Sequence, residues 1–229
     1  AGENITVSLD EDPLAPKAHL LVSELMVLTN AALAAWAKEH GVTLLHRTQD
    51  VAIPKEFSGI WQTPLEIARV VKALAPAVLE TNPRPHAGLG EAMYAPSTSP
   101  LRRYPDMINE TQIISLLRDG KPRWSKEELD TLLPLLNAHL DAAGQVQRFR
   151  PRYWKLLYFK QQGDRWWPAV ITDENDAFVT VNMPKEQMIV RARRQFFGER
   201  THPGQELEIR LGKVHPLQND FQLLETREI

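Results

Sequence analysis

A chain of 229 residues, 43% hydrophobic and 24% charged, has a globular composition and room for a core, which excludes wholesale disorder. Its formal net charge of −2 excludes a surface coated in positive charge but leaves room for a local basic track. The lack of cysteine excludes disulfides, thiolate catalysis and cysteine-based zinc sites, and fits a reducing, cytoplasmic compartment.

The acidic opening "AGENITVSLDED" lacks the pattern of a signal peptide, and a first residue that is Ala rather than Met is expected of a processed chain or a fragment. Ile5 to Leu9 alternate as a short strand does, before a Pro-containing turn. From about Pro16 to His40 the spacing predicts a helix. Leu21, Leu25, Leu28, Ala32 and Ala35 form one stripe, widened by Val22, Met26, Leu33 and Trp36, so burial on most sides is expected. Ser23, Glu24, Thr29 and Asn30 interrupt its apolar run and make it a poor membrane span.

Residues 42–48 read as a strand, and 63–80 as a helix interrupted near Pro76. A glycine-broken loop follows. A helix then begins near Tyr104, with Pro105 in its first turn and Gly120 at its close. Ser125 and Glu128 stand in capping-box spacing at the start of a leucine-rich helix that reaches Gly144, with a kink expected at Pro134. After residue 160 come five short strands, "RWWPAVIT", "AFVTVNM", "EQMIVRARR", "GQELEIRLGKVH" and "FQLLE", with turns between them. That grammar predicts an α+β chain: a mainly helical domain over 1–160 and a five-stranded OB-fold barrel over 161–229.

The segment "TSPLRRYPD" has two readings. A helix N-terminus, the guanidinium groups of Arg102 and Arg103, and the nearby Gly88 and Gly90 together suit a phosphate clamp. The same residues also suit a capped helix start with two solvated arginines. In the barrel, Trp166, Trp167, Phe178, Phe196 and Phe197 lie among Arg165, Lys185, Arg191, Arg193, Arg194 and Arg200, as sequence-tolerant single-strand binding requires. Packing is the competing use, since alternation sends one tryptophan inward. "RFRPR", at 148–152, either extends the basic track or forms a solvated linker. No histidine pair has metal-ligand spacing, Ser99 has no triad partners, and "GLG" alone is no nucleotide motif.

The long stretch "HAGLGEAMYAPSTSPLRRYPDMIN" closely resembles the late signature of the ribonuclease II (RNB) family of exoribonucleases. Glu24, Met26 and Asn30 are similar to a pattern on that family's long helix, Arg47 stands in an arginine position, and the all-β tail looks like an S1 RNA-binding domain. The resemblance implies hydrolysis of single-stranded RNA from the 3′ end, with Arg102 holding the phosphate at the scissile bond. Arg103, Tyr104, Tyr94 and His86 would line the RNA path, Asp106 would shape the loop, and Arg191, Arg193, Arg194 and Trp166 would hold the strand on the barrel. The family's magnesium is held by an Asp-rich motif that no segment here matches. Asp10, Glu11 and Asp12 have the wrong spacing, and Asp173, Glu174 and Asp176 suit a hairpin turn. Gln147-Arg148 stands where family members carry Glu-Arg. The resemblance therefore implies Mg2+ ligands outside this chain, on an N-terminal segment acting as its partner. A nuclease-dead RNA-binding protein and an assembly protein are the other readings; no membrane partner is expected.

Overall fold

The computed structural model describes residues 5–9, 16–51, 53–57, 59, 61–198 and 200–229. The chain divides into two compact units: Pro13–Phe57 with Ala73–Asp141, and Ala1–Asp12 with Ser58–Lys72 and Ala142–Ile229.

The first unit holds helices α1 (Pro16–Glu39) and α3 (Tyr104–Asp119), strands β1 (His46–Thr48) and β2 (Val78–Glu80), and the first part of α4 (Lys126–Gln162). Gly120 ends α3 in the left-handed conformation, with its N–H on Leu116 O, as a glycine C-cap does. The capping box opening α4 is formed: Ser125 N–H donates to Glu128 at 2.7 Å, and Glu128 N–H donates back to Ser125 Oγ at 3.2 Å. One apolar cluster joins Ala34, Ala37, Val42, Leu44 and Ala95; another joins Leu45, Ile108, Leu129 and Leu136.

Four expectations change here. Helix α1 is not buried on most sides: Leu20, Leu21, Val22, Leu25 and Leu28 are each more than half exposed. The packed face carries Asn30, Ala34 and Ala37 instead, because small side chains permit close approach where a leucine stripe does not. By length and composition α1 meets the requirement for a membrane span, although those three residues tie its C-terminal half into protein. The helix predicted over 63–80 is only α2 (Pro64–Ala73). Beyond Pro76 the chain becomes β2 and pairs antiparallel with β1, His46 opposite Glu80. Residues 5–9 form no strand. The Gln161 amide takes the place of a neighbouring strand, accepting from Val7 N–H at 2.9 Å and donating to Ile5 O at 2.6 Å. Finally, α4 runs on through Pro134, Gly144 and Pro151 to Gln162, so "RFRPR" is helix rather than linker.

The second unit is built on an antiparallel five-stranded sheet in the order β5-β4-β3-β6-β7: β3 (Trp166–Glu174), β4 (Phe178–Met183), β5 (Met188–Arg193), β6 (Glu206–His215) and β7 (Asp220–Glu228). All five predicted strands are present. The sheet curls into an open OB-type barrel whose edge strands are β5 and β7. Alternation sends Trp167 inward, 1% exposed, where Phe159 of α4 meets it edge to face at 4.7 Å. Asn175 Oδ1 closes the first hairpin by accepting from Ala177 and Phe178 N–H, an Asx turn.

Candidate nucleic-acid interface

Helix α3 turns polar side chains inward at every third position: Asp106, Asn109, Gln112 and Ser115, all buried. The first three clip backbone. Asn109 accepts from Leu45 N–H at 2.8 Å and donates to Leu45 O and Pro96 O, both at 2.9 Å. Gln112 donates to Thr43 O and Trp124 O and accepts from Trp124 N–H. Asp106 accepts from Ser99 N–H at 2.9 Å and pairs with Arg103 at 2.9 Å. Of this row sequence reasoning named only Asp106; the signal for the rest was a polar repeat at helical spacing.

The loop before α3 is pinned from other sides too. Asn30 of α1 donates to the Tyr94 hydroxyl at 2.9 Å and accepts from Ser97 N–H at 2.8 Å. Arg47 N–H bonds Tyr94 O, and the His86 ring meets Tyr94 edge-on at 5.6 Å. Burial, aided by Arg47, lowers the His86 pKa below its ordinary value.

Gly88 fits because nothing larger does. Its N–H donates to Gln49 Oε1 at 2.7 Å, and an added Cβ would stand 2.6 Å from that oxygen. Gln49 also donates to Ala75 O. Gly88→Ala must therefore displace Gln49 from both bonds, at about 2 kcal/mol, read as a lower urea midpoint. An unchanged midpoint would show that Gln49 holds nothing.

The two adjacent arginines are used differently. Their N–H groups both bond Ser99 O, at 3.2 Å for Arg102 and 3.0 Å for Arg103, fixing the turn. Arg103 points back to Asp106, with Thr98 at 3.5 Å. The Arg102 side chain is exposed between the exposed Leu101 and Tyr104 and has no partner among the described residues. Arg103 is the N-cap of α3, without a side-chain cap, so the positive end of that helix adjoins Arg102. This turn can offer one free guanidinium to an anion. Of the other predicted site residues, the structure brings Tyr94 to His86 and Arg103 to Asp106, as two separate pairs.

On the barrel, Arg191 lies over Phe178 at 4.4 Å, and Arg193 is exposed. Arg194 pairs with Glu174 at 3.1 Å, and Arg227 covers the Trp166 ring at 4.3 Å. Gln147 and Arg148 are exposed on α4. Among the described residues no group of three or more His, Asp or Glu could hold a metal ion, so the donor set does not fit a magnesium centre. Asp10, Glu11 and Asp12 lie outside the described residues.

A family profile described as RNB domain matches residues 4–119. The chain is 24% identical to an uncharacterized ribonuclease of Synechocystis over 98% of its own length, and 26% identical to a chloroplastic/mitochondrial ribonuclease II of Arabidopsis thaliana over 92%. It spans 34% and 26% of those proteins. Its fold matches an active-site mutant of the Dss1 exoribonuclease from Candida glabrata: TM-score 0.77, 24% identity, 90% of this chain and 28% of that one. It also matches Mycoplasma genitalium RNase R in complex with ribose-methylated single-stranded RNA: TM-score 0.72, 16% identity, 96% of this chain and 44% of that one. With the profile covering half of the sequence, and the loop and fold in agreement, the chain belongs to the RNB-domain family.

Proposed function

We propose that this chain is the phosphate-gripping part of a hydrolytic exoribonuclease that shortens single-stranded RNA from its 3′ end and releases 5′-nucleotides. The observation that carries the reading is the division of labour at the turn: Arg103 is committed to Asp106, and Arg102 has no partner among the described residues. A fixed cation beside a scissile phosphate stabilises the extra charge of the pentacovalent transition state more than the ground state. The exposed Tyr104 lines the approach, the buried Tyr94 and His86 hold the preceding loop, and residues 161–229, as an S1-like module with Arg191, Arg193 and Trp166, hold the strand. Magnesium and the aspartates that would bind it belong to an N-terminal partner segment outside this chain. The reading keeps a cytoplasmic location and assigns no membrane role.

The second reading is an RNA-binding protein that does not cut. A 5′-labelled single-stranded RNA incubated with the protein and magnesium separates the two. A ladder shortening from the 3′ end, slowed about a hundredfold by Arg102→Ala, supports the nuclease. Binding without shortening supports the second reading, and shortening indifferent to Arg102→Ala removes the clamp.

A further inference from the structure

Within the barrel unit, α4 lays two cations against the start of edge strand β5. Arg152 donates to Ile189 O at 3.5 Å, with Met188 Sδ at 3.8 Å and the Phe221 ring centroid at 5.5 Å. One helical turn on, Lys155 donates to Gln187 O. Both side chains are half-buried, and neither forms an ion pair with a described carboxylate. The neighbouring arginines differ: Arg194 has Glu174, Arg210 has Asp164 and Glu225, and Arg227 has Glu208.

Half-burying two like charges side by side, with no ion pair to a described carboxylate, is unfavourable. Burial lowers the pKa of both groups; Asp220 opposes this at Arg152, and Arg152 adds to it at Lys155. Such a pair is set up to receive an anion. Along β5 the outward residues are Ile189, Arg191 and Arg193. Arg152 meets that strand at the Ile189 carbonyl, two residues before Arg191, and Lys155 meets the Gln187 carbonyl in the turn that precedes the strand. Cations gathered along one edge strand and the turn before it match a flexible polyanion with repeated charges.

We infer that Arg152 and Lys155 form a phosphate subsite that carries the Arg191–Arg193 track from the barrel onto helix α4, for the backbone of single-stranded RNA. This inference rests on the RNA-binding reading above. It is tested by measuring the affinity of the intact chain for a single-stranded RNA oligonucleotide without magnesium, across a salt series. Each phosphate contact contributes about −0.7 to the slope of log affinity against log salt. Glutamine keeps an amide donor for the two carbonyls and removes the charge. The double variant Arg152→Gln, Lys155→Gln should therefore flatten the slope by about 1.4, Lys155→Gln alone by about 0.7, and Lys155→Arg should leave it unchanged. A parental slope in both glutamine variants overturns the subsite while the RNA-binding reading stands. Absence of RNA binding by the parent at low salt overturns both.

Discussion

Asn109→Ala should cost about 4 kcal/mol of folding free energy, among the largest losses available to a single polar side chain in this protein. Asn109 is fully buried and makes three hydrogen bonds, two to Leu45 and one to Pro96. Alanine leaves three backbone groups of buried residues without their partner, at about 1–3 kcal/mol each, partly relieved by relaxation. The change reads as a lower urea midpoint with an unchanged m-value. Pro96 lies in the loop that leads to Arg102, so RNA affinity should also fall under conditions where the variant is still folded. A loss below about 1 kcal/mol would mean that Asn109 is no clip.

Acid should destabilise the fold well before the carboxylates protonate. His46 is buried on β1, and burial outweighs the attraction of Glu80, lowering its pKa from 6.5 to about 4. The unfolded chain therefore binds a proton at His46 more readily than the folded one. Stability is flat above pH 6.5, falls as the pH drops towards 4, and His46 adds nothing further below that. The integrated effect is about 3 kcal/mol, with His86 pulling in the same direction. Glu80 acts later: burial disfavours its charge, but hydrogen bonds from Thr48 and Arg84 outweigh that and lower its pKa. Urea midpoints from pH 7.5 to 4 should converge between the parent and His46→Gln as the pH falls. Parallel profiles would show that His46 does not set the acid limit.

What could be read in advance was what local chemistry decides alone. Gly120 and the Ser125–Glu128 box mark helix ends because their backbone and side-chain bonds close within four residues. The five barrel strands were legible because each alternates against one core. The reading failed where a partner distant in sequence decides. The Val78–Glu80 segment becomes a strand because β1 lies beside it, against the helical drift of the preceding residues. An all-round apolar α1 cannot announce which stripe will pack, and Asn30 decides it through bonds to residues more than sixty positions away. At the site, the sequence showed two arginines but not their separation into one held and one without a partner among the described residues. That follows from Asp106, whose burial only the folded chain makes visible.

The open side of β5 has a consequence beyond binding. An edge strand with unsatisfied carbonyls is a template for adding a foreign strand, the first step towards sheet-to-sheet aggregation. Here Arg152 occupies the Ile189 carbonyl of β5, Lys155 occupies that of Gln187 in the turn before it, and the outward positions that follow are arginines. Positive charge repels a second copy of the same edge and leaves the row open to a polyanion. The barrel can thus keep one side unzipped without inviting its own kind.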